Sequence, residues 1–294
     1  MKKIIDIVAP ASHCTQEELM ASIEWLKREG FTPRIGKDII KPDLFFASNL
    51  KNQTAQMKKA ISAKDSDFIW CLRGGYGSMR LIPELSKMAK PKKEKIFLGF
   101  SDVTSLHLFF TQKWKWKTYH GPNFSGIGKK DQLAQDVKEV VHLLNGEQYN
   151  PLFDGLIPMN KAAEKKSLIK GSITGGNLRV VQASLNTIQQ IKPKGKILFF
   201  EDIGERGYAV HRMLEQLQQA GLFKGVQAMV LGDFNDGLEK DGKDRKMEAL
   251  SRFASSVSFP VLSGLPCGHD KLNRILPFHQ KCTLETGKNS KLVF

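Results

Sequence analysis

The sequence predicts an α/β fold in which an N-terminal parallel-sheet domain is followed by a β-rich α+β domain. Up to about residue 125, strand-like apolar segments alternate with amphipathic helical segments, an order typical of a parallel sheet covered by helices on both faces. After about residue 169, strand-like segments follow one another with few helices between them. The chain has 294 residues, and domains of about 150 residues are common, so each part can hold its own core.

Local signals place the first elements of the N-terminal domain. Residues 3–8 predict a strand, because Asp6 interrupts an apolar stretch that is too short for a secretory signal. In the helix that comes next, Thr15 is the expected N-cap and Glu18 its capping-box partner. A short strand follows in FTPRIG, and residues 53–63 predict a second helix.

Two strand–turn–helix units complete this domain, in DFIWCLRGGYGSMRLIPEL and KIFLGFSDVTSLHLFFTQ. The pattern then loosens between about residues 124 and 170, apart from a helix predicted over residues 131–144. We therefore expect an N-terminal domain at 1–125, a linker at 126–168 and a C-terminal domain at 169–294.

The formal net charge of +15 raises the question of a nucleic-acid partner. The lysines fall in separate patches beside Gly, Pro or acidic residues, which favours solvated loops. The alternation in KWKWK (113–117) fits a stacking surface for single strands or a half-buried strand with Trp114 and Trp116 on one face. We favour the strand, and nucleic acid is not an expected partner.

Cysteine spacing and hydropathy bear on the compartment. The four cysteines are far apart, without a CxxC pair or the spacing of zinc ligands. We therefore expect reduced, mostly buried thiols, no metal site and a cytoplasmic location. No stretch approaches the roughly 20 apolar residues of a membrane helix, so no membrane partner is expected.

A serine lies between one predicted strand and the helix after it. In IFLGFSDVTSLHLFF, Ser101 directly follows the strand and Asp102 begins the helix. On such a sharp turn a hydroxyl projects clear of the sheet, towards the unpaired N–H groups of the helix, as in a nucleophile elbow. The second glycine of a GxSxG motif is replaced by Val103. Two interpretations stay open, a nucleophile or a helix N-cap.

Three glycines follow the other predicted strand, FIWCL. Gly74, Gly75 and Gly77 let the backbone approach a ligand closely and adopt positive φ, which suits an oxyanion hole or an anion cradle. An ordinary tight turn is the alternative. The GK[ST] ending of a phosphate-binding loop and the GxGxxG pattern are both absent, so a nucleotide cofactor is not expected.

A serine nucleophile needs a base and an acid that orients the base. Among the seven histidines, His269 lies in a Gly/Pro-rich loop, GLPCGHD, where an imidazole can be exposed and positioned. Glu201 ends the apolar segment ILFFE and is the expected acid. A glycosidase would pair Glu201 with Asp202 or Glu205, but neighbours on a strand point to opposite faces, which disfavours the first pairing.

Eight segments, in order along nearly the whole chain, resemble the LD-carboxypeptidase family. They are VAPAS (8–12), CLRGGYGSMRLIPEL (71–85), LGFSDVTSLH (98–107), HGP (120–122), GSITGGNL (171–178), ILFFEDIGERGYAVHRMLEQL (197–217), VLGDF (230–234) and GLPCGH (264–269). The resemblance implies a serine peptidase whose triad is Ser101, His269 and Glu201. It also implies an N-terminal domain similar to class I glutamine amidotransferases and a C-terminal β-rich domain of a swivelling kind.

The resemblance also implies an oxyanion hole. The oxyanion hole would use the backbone N–H groups of Gly75 and Asp102. The substrate-binding candidates are Arg73, Gly74, Asn177 and Arg206, and either arginine is a candidate partner for the substrate carboxylate. Two positions depart from the family pattern, because Asn186 and His279 stand where glycine is usual.

The implied activity is release of the terminal D-alanine from muropeptide tetrapeptides, at its bond to the L-centre of a diamino acid, in peptidoglycan recycling or remodelling. Two alternatives stay open. One is a microcin C-type peptide-nucleotide amidohydrolase that gives self-immunity, and the other is a non-catalytic binder of cell-wall peptides. The expected partner is a small muropeptide, no cofactor is expected, and a homodimer is left open.

Overall fold

The computed structural model describes residues 3–129 and 134–294, and the chain divides into two compact units. The first unit consists of Met1–Tyr149 with Lys271–Pro277, and the second of Asn150–Asp270 with Phe278–Phe294.

In chain order the strands are β1 (Ile4–Val8), β2 (Thr32–Ile35), β3 (Ser66–Cys71), β4 (Ile96–Gly99), β5 (Thr118–His120), β6 (Leu152–Pro158), β7 (Ser167–Asn177), β8 (Ile197–Ile203), β9 (Ala228–Asn235), β10 (Val261–Ser263), β11 (Leu276–Phe278), β12 (Lys281–Thr286) and β13 (Ser290–Val293). The α-helices are α1 (Gln16–Arg28), α2 (Leu50–Ser62), α3 (Ile82–Ser86), α4 (Thr104–Phe109), α5 (Phe124–Lys129), α6 (Ala134–Leu144), α7 (Lys161–Glu164), α8 (Leu178–Ala183), α9 (Gly207–Gln219) and α10 (Lys246–Ser256).

The first unit is built on a six-stranded sheet with the order β11-β5-β4-β3-β1-β2. The pairings that connect β1, β2, β3, β4 and β5 are all parallel. Ile69 and Cys71 of β3 belong to one buried hydrophobic cluster, whereas Trp70 belongs to another. Since successive side chains of a strand point to opposite faces, both faces of the sheet are covered. The predicted parallel sheet is confirmed.

Helix starts follow the capping residues. At α1 the Thr15 side chain accepts from Glu18 N at 3.1 Å, and the Glu18 carboxylate accepts from Thr15 N at 3.0 Å. This is the predicted capping box. The second helix begins at Leu50, three residues earlier than predicted, because Asn49 accepts a hydrogen bond from Asn52 N at 2.9 Å.

The strand predicted for KWKWK is wrong, although both tryptophans are buried. Trp114 ends a π-helical turn, Phe110–Trp114, that continues α4. Lys115 then reverses the chain with a left-handed φ of 61°, and β5 begins only at Thr118. The Trp114 and Trp116 rings lie 5.2 Å apart, between centroids, in the core. The reversal of the chain places both rings in the same buried cluster. The predicted strand would likewise have placed both rings on one side, so only the backbone conformation was predicted wrongly.

The second unit is a closed barrel with the order β10-β6-β13-β12-β7-β8-β9. Strands β7, β8, β9 and β10 pair in parallel, whereas β12, β13 and β6 pair antiparallel with their neighbours. The β-rich prediction is confirmed. Closure of the barrel was not foreseen, because register between distant strands leaves no local signal in sequence.

The predicted linker contains helices and a strand. The units divide after Tyr149, so α5 and α6 belong to the first unit and β6 to the second. The helix predicted over 131–144 is α6, and its predicted start at 131–133 lies outside the described residues. Glycine, asparagine and proline in NGEQYNP interrupt the hydrophobic periodicity of helices and strands. This interruption explains why the sequence predicts a linker there.

A short C-terminal segment belongs to the first unit. The backbone N–H of Asn273 donates to the Asp136 carboxylate at 3.0 Å, and Arg274 pairs with Glu139 at 2.7 Å. Both acids lie on α6, so the segment Lys271–Pro277 is tied to that helix. Across the described ranges 3–129 and 134–294, none of the helices has the length and apolar character needed to cross a bilayer.

Candidate active site

Ser101 occupies a strained turn at the carboxyl end of β4 in the first unit. Its φ is 66°, a left-handed value uncommon for residues other than glycine. The chain passes from Gly99 through this residue into a 3-10 turn, Ser101–Val103, and then into α4. The N-cap positions of these two elements are Phe100 and Val103. The backbone therefore has the sharp bend of a nucleophile elbow, and Ser101 is not at an N-cap position.

Two glycines make room for this turn. A Cβ at Gly99 would lie 2.9 Å from Cys71 Cβ and 3.1 Å from a Val103 methyl carbon. A Cβ at Gly74 would lie 2.8 Å from Ser101 Cβ and 3.1 Å from its hydroxyl oxygen. The glycine turn after β3 thus lies directly against the Ser101 side chain.

The glycine turn and the elbow are also joined by hydrogen bonds. The backbone N–H of Ser78 donates to the Asp102 carboxylate at 2.8 Å, and the Ser78 hydroxyl donates to the Asp102 carbonyl at 2.6 Å. Burial raises the pKa of Asp102, while hydrogen bonds from Ser78 and Gly77 act in the opposite direction. These bonds tie the end of the glycine turn to the elbow. Within the turn, Gly75 has a φ of 96°, and a Cβ at this position would lie 2.4 Å from the Ser12 hydroxyl oxygen, so both its conformation and its surroundings require glycine.

A carboxylate and an imidazole meet inside the second unit. Glu201 Oε2 lies 2.6 Å from His269 Nδ1. The Glu201 side chain is fully buried and that of His269 is 13% exposed. Glu201 Oε1 has no hydrogen-bond partner among the described residues. Because a carboxylate can only accept, His269 Nδ1 carries the shared proton and Nε2 is left to receive another.

The backbone around this pair has two irregularities. The pairing of β8 with β9 shifts register between Phe200 and Asp202, so the ladder is interrupted at Glu201. On the other side, Gly268 has a φ of 144°, and a Cβ there would lie 3.1 Å from Asp233 Cβ and 3.2 Å from Glu201 Cβ. Only glycine lets the His269 loop approach the strand this closely.

Opposing effects set the protonation of His269. Burial lowers the pKa of the imidazole, but the charge and hydrogen bond of Glu201, with the charges of Asp202 and Asp233, outweigh it, so the pKa lies above the ordinary 6.5. Burial in turn raises the pKa of Asp202 and Asp233 to about 6. The arrangement stabilises an imidazolium, as a base that takes up a proton during reaction requires.

A pH dependence follows from this balance. With His269 as the general base, only its neutral form can accept a proton, and kcat/KM should then fall about tenfold per pH unit below an apparent pKa that lies above 6.5. Hydrolysis rates from pH 5 to 9 would measure this acid limb. In Asp233→Asn the limb should move to lower pH, because one nearby negative charge is gone. A wild-type limb clearly below pH 6.5 would contradict the assignment.

The other predicted residues have more varied surroundings. Asn177 is buried, caps α8 through Val180 N at 3.1 Å and donates to the Asp202 carboxylate at 3.0 Å. Arg73 is exposed and donates to the His13 carbonyl at 3.3 Å. Arg206 is the N-cap residue of α9. Asn177 thus holds Asp202, the neighbour of Glu201, whereas Arg73 is exposed and Arg206 is partly buried.

Sequence reasoning missed two residues of this region. Asp233 follows the apolar part of β9 just as Glu201 follows that of β8, so the same signal could have found it. Ser78 left no signal, because a hydroxyl that bonds a distant backbone carbonyl has no spacing rule. Of the other histidines, His107 is completely buried with its Nε2 2.8 Å from the Gly99 carbonyl, and burial lowers its pKa to about 4.

Sequence models of known protein domains match segments of both units. The sequence model of the LD-carboxypeptidase N-terminal domain matches residues 5–121, and that of the LD-carboxypeptidase C-terminal domain matches residues 170–284. A Rickettsia conorii protein named "Putative carboxypeptidase RC0549" is 37% identical, over 98% of this chain and 90% of its own length.

Two further relatives bear on the activity. The crystal structure of muramoyltetrapeptide carboxypeptidase from Oxalobacter formigenes has a TM-score of 0.85 and 28% identity, covering 98% of both chains. The Microcin C7 self-immunity protein MccF of Escherichia coli is 25% identical, over 94% of this chain and 87% of its own length. Both domain models match in order and cover most of the sequence, and the protein therefore belongs to the LD-carboxypeptidase family.

Proposed function

We propose that the protein is a serine carboxypeptidase that releases the terminal D-alanine from muropeptide tetrapeptides. Ser101 is the nucleophile, His269 the general base and Glu201 the acid that orients it. The observation that carries the proposal is the hydrogen-bonded contact in which the fully buried Glu201 carboxylate lies, through Oε2, 2.6 Å from His269 Nδ1. Similarity to a muramoyltetrapeptide carboxypeptidase over 98% of the chain supports the choice of substrate.

The reaction runs in two steps. Ser101 Oγ bonds to the carbonyl carbon of the scissile amide while His269 Nε2 takes the hydroxyl proton. The same nitrogen then gives that proton to the amide nitrogen, and D-alanine leaves as the C–N bond breaks. Water, activated by His269, hydrolyses the resulting ester and regenerates Ser101. Glu201 offsets the imidazolium charge in each step.

The negative charge on the reacting carbonyl oxygen needs donors of its own. The backbone N–H groups of Gly75 and Asp102 are our candidates, and the hydrogen bonds between Ser78 and Asp102 support the idea that they are held together. Loss of one such donor typically lowers kcat by about 100-fold. Arg73 or Arg206 would meet the free carboxylate of D-alanine.

A cytoplasmic role in peptidoglycan recycling or remodelling is part of the proposal. It is supported by the four cysteines, which are all buried thiols, as is usual for proteins of reducing compartments. The chemistry proposed draws on protein side chains and backbone groups and needs no cofactor.

Purified protein incubated with monomeric tetrapeptide and pentapeptide muropeptides tests this function. We expect the tetrapeptide to lose one D-alanine and become tripeptide, and the pentapeptide to remain unchanged, because the scissile bond joins an L-centre to the terminal residue. Mass spectrometry of both reactions measures the products. An unchanged tetrapeptide under conditions in which the protein is folded would contradict the proposal.

The similarity to MccF supports a second candidate function, hydrolysis of the amide in a microcin-like peptidyl nucleotide. The same catalytic groups would serve, because both reactions transfer an acyl group from nitrogen to water. Comparing kcat/KM for the tetrapeptide and for a peptidyl sulfamoyl nucleotide decides between them. The substrate with the higher value is the better assignment.

A further inference from the structure

Asp233 lies in β9, beside the loop after β10 that carries His269. The backbone of this loop is hydrogen-bonded to β9. The Leu265 N–H donates to the Leu231 carbonyl at 3.1 Å, and the Asp233 N–H donates to the Cys267 carbonyl at 3.2 Å. The first part of the loop is therefore attached to the strand as far as Cys267.

The Asp233 side chain continues this attachment past the imidazole. The Asp270 N–H donates to Asp233 Oδ2 at 3.4 Å. A Cβ at Gly268 would lie 3.1 Å from Asp233 Cβ and 3.2 Å from Glu201 Cβ. His269 is thus flanked along the chain by two residues that lie against the side chain of Asp233.

The boundary between the two units directly follows Asp270. The next segment, Lys271–Pro277, belongs to the first unit, where Asp136 and Glu139 of α6 hold it. The chain on either side of this boundary is therefore held by different units. A fixed point at Asp270 keeps the position of His269 independent of the segment that comes after it.

Folding alone does not favour a carboxylate at position 233. Burial and the charges of Asp270 and Glu201 raise the pKa of Asp233 from 3.8 to about 6, although the Asp270 N–H acts in the opposite direction. A carboxyl whose pKa is higher in the folded protein than in the unfolded chain lowers stability as the pH rises between the two values, and the full loss applies at pH 7. An amide could accept the same N–H without this loss.

The charge has a consequence for His269 instead. From β8, Glu201 bonds the imidazole and Asp202 adds its charge, and from β9 Asp233 adds its own, so the pKa of His269 is raised. Asp270, the next residue in the loop, lies close enough to Asp233 to act on its carboxyl. Asp233 combines its charge with contacts to the loop on both sides of the imidazole.

We propose that Asp233 is a positioning residue for the general base, which fixes the loop with its carboxylate and favours the protonated imidazole with its charge. The inference rests on the proposed hydrolysis and adds a residue outside the triad to it. Asp233 acts through His269, in the step in which the imidazole takes the hydroxyl proton. A displacement of about 1 Å at a catalytic group can lower the rate by about 100-fold.

Two substitutions separate the effect of position from that of charge. Asp233→Asn removes the charge but keeps an oxygen that can accept the Asp270 N–H. We expect its acid limb of kcat/KM to move to lower pH, its kcat above the limb to remain close to wild type, and its thermal stability at pH 7 not to fall. Asp233→Ala removes both the charge and the acceptor. Its limb should move in the same direction, and its kcat should fall by about 100-fold with little change in KM.

Asp236→Asn is the matched control. Asp236 directly follows β9, is exposed and has a φ of 55°, a conformation that asparagine also adopts readily. It should leave kcat, KM and the acid limb unchanged. Wild-type kcat and an unmoved limb in both Asp233 variants would overturn the inference, as would an equal shift of the limb in Asp236→Asn. Reduced thermal stability with an equal loss of kcat in both Asp233 variants would show a merely structural role and also overturn it.

A measurement without substrate keeps the inference separate from the proposed function. If the wild type hydrolyses neither the tetrapeptide nor a peptidyl nucleotide, the proposed function fails. The proton that His269 Nδ1 shares with Glu201 is then followed as a downfield NMR resonance, and the imidazole is titrated. We expect Asp233→Asn to keep the resonance and to lower the pKa of His269, and Asp233→Ala to lose the resonance as well. Identical spectra and titrations in the wild type and both variants would overturn the inference.

Discussion

Ser101→Ala should abolish release of D-alanine while the protein stays folded. Loss of a triad nucleophile typically lowers kcat on the order of 10⁶-fold, because the covalent route is lost and only binding and oxyanion stabilisation remain. Alanine has the Cβ that serine already fits beside Gly74, so no new steric conflict arises at this turn. Product formation is measured by mass spectrometry and folding by thermal denaturation.

Ser86→Ala is a suitable control for this experiment. It removes a hydroxyl that makes a local hydrogen bond to the Pro83 carbonyl, at 2.8 Å, in the same unit as Ser101. We expect wild-type kcat from this variant. A Ser101→Ala protein with more than a hundredth of wild-type activity would exclude Ser101 as the nucleophile.

Glu201→Gln should lower kcat by about 10⁴-fold, the effect expected when the acid of a triad becomes an amide. The amide N–H₂ can donate to His269 Nδ1, which places the imidazole proton on Nε2. A protonated Nε2 cannot accept the proton of the Ser101 hydroxyl. Loss of the negative charge also removes the main influence that raises the pKa of His269. The acid limb of the remaining activity should therefore move to lower pH.

Glu201→Gln is the more informative change at the pair of Glu201 and His269, because it replaces the carboxylate by a neutral group of nearly the same shape. Removing His269 instead would leave a buried carboxylate without its partner, a type of change that costs about 3 to 5 kcal/mol of stability and confuses loss of function with loss of fold. Glu205→Gln provides the control, because Glu205 follows β8 in the same unit and pairs with Arg179 at 3.2 Å. Similar kcat values for both variants would refute the role of Glu201.

Local patterns predicted the parallel sheet well, because buried strands and capped helices leave their signals within a few residues. The capping box of Thr15 and Glu18 is one example. The turn at Lys115 left no such signal, since left-handed backbone at a lysine depends on the packing of Trp114 and Trp116. The return of Lys271–Pro277 to the first unit is also a tertiary effect, set by two acids on α6.

At the candidate site, too, local patterns predicted some features and tertiary structure determined others. Residue types and chain positions indicated Glu201 and His269, but only the fold shows that the Gly268 backbone lets their side chains meet at 2.6 Å. That Ser101, His269 and Glu201 act together stays a prediction.

The two departures from the family pattern have a conformational explanation. Asn186 has a φ of 57° and His279 a φ of 61°, both in the left-handed region where glycine is easiest to accommodate. Asparagine and histidine are among the side chains that enter this region more readily than others. Glycine at these positions would thus serve the backbone, and the side chains present here are compatible with the same turns.

In the closed barrel of the second unit every strand has a neighbour on each side. Its strand order therefore has no terminal strand to which an extended peptide could add itself as a further strand. The sheet of the first unit does end in two edge strands, β2 and β11. A peptide that extends a sheet by pairing with its terminal strand would therefore do so in the first unit, at β2 or β11.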